Sequence, residues 1–211
     1  MKRAYFLSAA TVVVAMAMAS CGGAEESTAP VTYKLDTDAT SLKWKGDYAD
    51  GTHSHDGKVN VTEGTVSYEG DVFKSGSFKV DLNTVDSELD EATGEAGLLG
   101  HLASPDFFNA AKFPLVDVTL TALTETEATA TVKVGGKNLE TTFPVKTKRT
   151  NDKLTIKGKF DLDFTSLNLK GFQKDPAMEA EAAKAGKKDQ YVTPIVHFDL
   201  DAVLKADAAK K

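Results

Sequence analysis

The chain is poor in cysteine and tryptophan, with one of each, Cys21 and Trp44, among 211 residues. A lone cysteine excludes an intramolecular disulfide and any metal site built on several thiolates. A basic surplus is also missing. Lys and Arg number 25 against 31 Asp and Glu, a net charge of −6. Binding to a phosphate backbone needs a basic face, so nucleic acid is not an expected partner. Beyond residue 21 no run of about 18 uncharged apolar residues occurs, so no membrane-crossing helix is expected there. The Gly-x-Ser-x-Gly elbow, the P-loop and His-Glu-x-x-His are absent as well. No catalytic set can be read, and the chain is not expected to be an enzyme. What remains is ordinary for a globular protein: 41% apolar and 27% charged residues, in a length that fits one domain.

The N-terminus adds a second constraint. Met1-Lys2-Arg3 precedes a mostly apolar run from Tyr5 to Met18, and Met18-Ala19-Ser20 leads to Cys21. Two positive charges, roughly 14 mostly apolar residues and small residues before a break match a secretory leader. The run is short for a transmembrane helix, which needs about 20 residues. The only cysteine stands where cleavage is expected, so the segment resembles a bacterial lipoprotein signal, with Met18 where Leu is commoner. The resemblance implies lipidation of Cys21 and a membrane-anchored lipoprotein of the bacterial cell envelope, facing the periplasm or the cell surface. Residues 1–20 are then the signal peptide and 21–31 a flexible tether, rich in Gly, Glu, Ser and Thr. Residues 32–206 are the folded domain. Two or more acyl chains hold a protein firmly, where one holds it marginally.

Beyond Pro30 the dominant period is two. From Leu154 to Phe164 the even positions read Leu, Ile, Gly, Phe, Leu, Phe, and the odd ones Thr, Lys, Lys, Asp, Asp. Such a strand has one apolar and one wet face. Val196–Leu204 and Val116–Ala122 repeat the pattern. So do Val72, Phe78, Val80 and Leu82, interrupted by Gly76, and more weakly Leu139–Val145. About eight strands are expected: 40–48, 57–70, 71–82, 115–123, 126–134, 137–148, 153–165 and 191–205. One-faced alternation with short links favours an antiparallel sheet. Helices are too few to cover the apolar face, so the sheet is expected to close as an all-β barrel, with a two-sheet sandwich as the alternative.

Two connections read as helical. Residues 86–111 hold a helical candidate over Leu89–Leu102, whose acids Glu88, Asp90, Glu91 and Glu95 read as a solvated face. Ser104-Pro105 then signals a second, short helix. In residues 175–186 Asp175 caps, Pro176 opens and Gly186 stops an Ala-rich helix.

The segment His101-Leu102-Ala103-Ser104-Pro105-Asp106-Phe107-Phe108-Asn109-Ala110-Ala111-Lys112-Phe113-Pro114 resembles the signature of the YceI family. Flanking signals agree: Tyr33-x-Leu35-Asp36, Gly76-x-Phe78-x-Val80-Asp81, and Lys133 to Leu139. The similarity spans roughly residues 33–205. Asp163-Phe164-Thr165 departs from the Asp-Arg-Thr of many members, and Leu139-Glu140-Thr141-Thr142-Phe143 from their Leu-Thr-x-x-Gly. The resemblance implies a lipocalin-like eight-stranded antiparallel β-barrel whose elongated apolar cavity holds a polyisoprenoid or related lipid. No catalytic residue and no cofactor other than that lipid is implied.

Candidate cavity residues follow. Phe78, Phe160, Leu162, Phe164 and Phe198 lie on predicted inward faces. Trp44 and the signature pair Phe107-Phe108 complete the set. By pattern alone inward aromatics fill cores as readily as they line cavities. His53 and His55 are alternate residues and form a weak metal candidate, bracketed by Gly51 and Gly57 as in a polar turn. No metal is expected. His101 reads as a structural residue beside a helix cap, and His197 as a solvated outward one. The expected function is binding or carriage of a polyisoprenoid-type or other long apolar lipid, with the membrane engaged through the N-terminal anchor. The alternative is a ligand-free envelope structural or stress-response adaptor that binds a protein partner.

Overall fold

A computed structural model describes residues 29–51, 53–87, 96–186 and 191–207. The expected signal peptide, Cys21, most of the expected tether and the acidic run at 88–95 lie outside these residues. Ten antiparallel strands account for most of the described chain: β1 (Val31–Leu35), β2 (Ser41–Tyr48), β3 (Ser54–Glu69), β4 (Val72–Ser87), β5 (Leu115–Leu123), β6 (Glu127–Val134), β7 (Lys137–Pro144), β8 (Lys146–Arg149), β9 (Lys153–Asp163) and β10 (Val192–Ala206). They form one sheet in the order β7-β6-β5-β4-β3-β1-β10-β9-β8, with β2 also between β3 and β10.

Ten strands make eight staves. β1 and β2 lie end to end on one stave, separated by a 3-10 turn at Thr37–Ala39. β7 and β8 share another, joined by Val145. The two ends of the sheet are thus consecutive in the chain, and the sheet closes on itself. β3 and β10 are long enough to pair with both halves of the β1/β2 stave.

The closure is incomplete. β7 pairs with β6 and β8 with β9, but β7 and β9 share no ladder pairs among the described residues. The seam is held by side chains and by one close backbone approach. Phe143 and Phe160 stack across it with ring centroids 4.2 Å apart. A Cβ at Gly158 would stand 2.6 Å from the Pro144 carbonyl oxygen, so only glycine lets the strands meet there. Lys137 Nζ donates to the Leu167 carbonyl nearby.

Alternation decides which side chains enter the barrel. On β9, Leu154, Ile156 and Leu162 are buried, while Lys153, Lys157, Lys159, Asp161 and Asp163 are exposed. Facing charges on β9 and β10 pair in register outside, Lys157 with Asp201 at 2.6 Å and Lys159 with Asp199 at 3.3 Å. Exposed pairs of this kind stabilise by about 0–1 kcal/mol, so the inward face carries the fold.

Several expectations are revised. β1 was not among the expected strands. Val72 was expected to face inward but is 60% exposed, because Lys74 is bulged out between Tyr68↔Phe73 and Ser67↔Ser75 and the parity flips. The strand over 137–148 is interrupted at Val145. The short helix expected from Ser104-Pro105 is instead a run of turns. Ser104 Oγ does accept from Asp106 N at 3.3 Å, but Asn109 takes a left-handed φ of 52° and its N–H returns to the Ser104 carbonyl. The helix expected over Leu89–Leu102 is described only as α1 (Ala96–Ala103). α2 (Pro176–Lys184) forms as expected, with Asp175 accepting from Ala177 N at 2.8 Å and Gly186 at φ 71°. No helix among the described residues is long and apolar enough to cross a membrane.

Candidate functional site: an apolar cavity with one mouth

The two ends of the barrel differ. At one end Tyr33, Val66, Leu154 and Leu204 are the most deeply buried large side chains. Tyr33 and Tyr68 pack edge to face, Tyr33 donates to the Thr150 carbonyl at 2.7 Å, and Arg149 lies 4.4 Å over the Tyr68 ring. Burial pushes the Tyr68 phenol above its usual range. This end is a sealed floor, and none of these residues lines the cavity.

Above the floor runs a cavity of about 240 Å³. It extends from Leu123, Ala128, Phe143, Ile156 and Ala202 up to Trp44, Tyr48, His55, Val85, His101 and Val192. Its wall is aliphatic and aromatic almost throughout. Pockets of this character suit apolar ligands fixed by few polar contacts.

The strands supply most of the wall by parity alone: Leu42, Trp44 and Gly46 from β2, Val59 and Val61 from β3, Phe160 and Leu162 from β9, Val196, Phe198 and Leu200 from β10. The signature segment and the loop after β9 supply the rest. Phe107 meets Phe172 edge to face at 5.1 Å, Phe108 meets Phe164 at 5.8 Å, and Phe164 stacks with Phe172 at 6.1 Å. The 3-10 turn Lys170–Phe172 is tied to the signature turn by Gly171 N donating to the Asp106 carbonyl at 2.7 Å. A Cβ on Gly171 would come within 2.3 Å of the Phe107 ring, so this packing also needs glycine.

All eight apolar candidates, Trp44, Phe78, Phe107, Phe108, Phe160, Leu162, Phe164 and Phe198, face this one cavity. The histidines separate. His53 is exposed in the turn before β3, whereas His55 is half-buried on β3 and lines the cavity. Their rings pack on Tyr48, at 5.9 and 5.7 Å. Among the described residues no three His, Cys, Asp or Glu side chains converge as metal ligands do. His101 is exposed in the last turn of α1 and borders the mouth. His197 does face outward but is not simply solvated. Its Nδ1 lies 2.6 Å from Asp161 and its Nε2 3.0 Å from Asp47. Lys45 stands 2.6 Å from Asp47 as well. The Lys45 hydrogen bond, with a smaller contribution from His197, holds the Asp47 carboxyl below its ordinary range despite partial burial.

Tyr48, His55 and Phe172 were absent from the candidate set. Continuing the parity of Gly57, Val59 and Val61 backward points His55 inward, and that of Leu42, Trp44 and Gly46 forward does the same for Tyr48. Phe172 follows no period, and nothing local marks it.

Fold and cavity together define, among the described residues, an up-and-down β-barrel whose last seam is closed by side chains, with a sealed floor and an apolar interior that opens at the other end. The YceI-like domain model matches residues 33–202, most of the chain, and the protein belongs to that family. Among solved structures it is similar to BcnA of Burkholderia cenocepacia, at 15% identity and a TM-score of 0.59, covering 80% of this chain and 98% of that one. It is also similar to a polyisoprenoid binding domain from Saccharophagus degradans implicated in plant cell wall breakdown. There the identity is 14% and the TM-score 0.52, with 83% of this chain and 98% of that one covered. At such identities the likeness is one of fold. No curated protein sequence matches the chain.

Proposed function

We propose that the protein binds a long apolar lipid of the polyisoprenoid type in its barrel and carries it within the bacterial cell envelope, held to a membrane through lipidated Cys21. The cavity carries this reading: one continuous apolar space along the barrel axis, with aromatic walls, a sealed floor and one mouth. Family membership and the polyisoprenoid-binding description of the Saccharophagus degradans relative support it. Physical chemistry asks for little more. Burying ~10 isoprenoid carbons at ~0.8 kcal/mol each yields ~8 kcal/mol, nominally micromolar before ordering costs. Binding of this kind needs no reacting group.

The test is native mass spectrometry of the mature protein purified from membranes, followed by organic extraction. The expected result is a mass excess that solvent removes and that reappears on incubation with a polyprenol. A protein that never carries lipid, and takes up none after delipidation, would favour the adaptor function instead.

A further inference from the structure

The cavity wall is not uniform round its girth. On one side four aromatic residues stand on neighbouring staves: Phe143 on β7, Phe160 on β9, Phe198 on β10 and Trp44 on β2. Register sets them level. Phe198 pairs with Phe160 on one flank and with Trp44 on the other, and Phe143 stacks on Phe160 across the seam. On the opposite side β3, β5 and β6 present no phenyl or indole ring to the cavity. Phe78 of β4 lies over Gly64, where a Cβ would come within 2.5 Å of its ring. The attitude of the phenyl rings matters. Ring centroids are 4.2 Å apart for Phe143 and Phe160 and 5.7 Å for Phe160 and Phe198, and in each pair the planes differ by 24°. Near-parallel rings set side by side round a wall turn their faces to one another, so an occupant of the cavity meets their rims. Phe160 and Phe198 are only half-buried. Alternation keeps both off the polar outer face, so the surface they keep open belongs to the cavity they line.

An aromatic ring is negative on its faces and positive on its rim. A row of rims therefore attracts the π face of a double bond, as it would the face of another ring. A saturated chain has no such face to offer. We infer that this row selects the cargo by its double bonds, favouring an unsaturated chain over the saturated chain of the same skeleton, with Phe160 and Phe198 as the residues that determine the choice. The inference rests on the lipid-binding function proposed above. It adds which chain is preferred when length, branching and head group are equal. Apolar burial by itself gives the opposite order. Hydrogenation makes a chain more apolar without shortening it, so burial alone favours the saturated chain or leaves the two equal.

The experiment compares geranylgeraniol with phytanol, its fully hydrogenated counterpart, on the delipidated mature protein. Each displaces the same fluorescent apolar probe, and the ratio of the two affinities is read, so the affinity of the probe itself cancels. The wild type should prefer geranylgeraniol by about threefold to tenfold, the scale of one edge-to-face contact. Phe198→Leu and Phe160→Leu keep an apolar side chain and remove the ring. Each should bring the ratio close to one or below it. Val132→Ala, on the aliphatic side, should shift both affinities together and keep their ratio. A wild-type ratio of one or less overturns the inference, and this reading does not depend on how any variant folds. A preference that persists undiminished in both Leu variants also overturns it, because the stiffness of the unsaturated chain then explains the choice. So does a preference lost equally in Val132→Ala, which would make it a matter of cavity shape. If both alcohols bind equally, lipid binding stands and selection by double bonds falls. If neither binds, both fall.

Discussion

Phe143 and Phe160 stack at 4.2 Å, with ring planes 24° apart, across the only stave boundary where the described strands share no ladder. Elsewhere in the barrel backbone hydrogen bonds hold neighbours together. Here two rings and the Gly158–Pro144 approach substitute for them.

The seam should therefore be unusually sensitive to side-chain change. Phe143→Ala should lower stability by about 3–5 kcal/mol, as large-to-small aromatic substitutions do in cores. Gly158→Ala should cost about 1–3 kcal/mol, because the added methyl meets backbone that cannot rotate away. Lys159→Ala, one residue on and exposed, should change stability by no more than about 0.5 kcal/mol. Urea unfolding midpoints compare the three. Equal losses in all three would mean that the stack does not close the barrel.

Leu162 separates a usable cavity from a packed core. It is 7% exposed and lines the cavity beside the C-terminal end of β9. In a dense core Leu162→Trp is overpacked and loses about 1–3 kcal/mol. In a barrel with room for a ligand the indole takes that room. Stability of the delipidated protein should then hold or rise, and retention of a polyprenyl probe should fall, since protein and ligand contest one space. A destabilised variant with undiminished lipid retention would place the ligand elsewhere.

Much of this interior was legible beforehand. The faces of β9 and β10 could be read residue by residue because one side of each is wet and the period is two. Other features depend on contacts that local sequence does not encode. β1 is five residues long with three apolar positions, too short to stand out after the polar stretch 22–30. The break at Val145 reflects an exchange of partners, from β6 to β9, which is a tertiary event. Val72 was misplaced because a bulge at Lys74 shifts the parity, whereas Gly76, the residue that interrupts the pattern, pairs with Val66 in regular register and does not mark the bulge. Phe172 enters the cavity from a turn, where no period applies.

Asp47 offers a test in acid. Its carboxyl is held below the ordinary range chiefly by the Lys45 hydrogen bond, with burial opposing and His197 adding. A depressed folded-state value means the contribution is complete above the unfolded value near ~3.9 and is lost as pH falls through the folded one. Asp47→Asn should cost less than about 1 kcal/mol near neutral pH, because the side chain is 31% exposed and the pair is screened. The gap between wild type and variant should begin to close below about pH 4 and vanish once pH has passed the depressed folded-state value. Denaturant melts at neutral and acid pH check this, and a gap that widens in acid would contradict it.

Cys21→Ser tests the anchor. A hydroxyl cannot replace the thiol in thioether formation, so acyl labelling should disappear and the protein should leave the membrane fraction. Labelling that persists in the variant would refute the anchor.

β1 enters the barrel beside the floor: Val31 pairs with Tyr68, and Tyr33 with Ala206, at the end opposite the mouth. That polarity bears on traffic. The 16 residues of β3 rise about 3.3 Å each along a strand inclined by about 40°, so floor and mouth stand roughly 40 Å apart. The ten residues Cys21–Pro30 can reach at most ~35 Å when fully drawn out. With Cys21 as the proposed anchor, the tether matches the barrel's height only when fully drawn out, so its entropy favours the floor-down arrangement with the mouth turned away from the anchoring leaflet. In that arrangement the mouth faces a soluble donor or acceptor, or an opposing membrane.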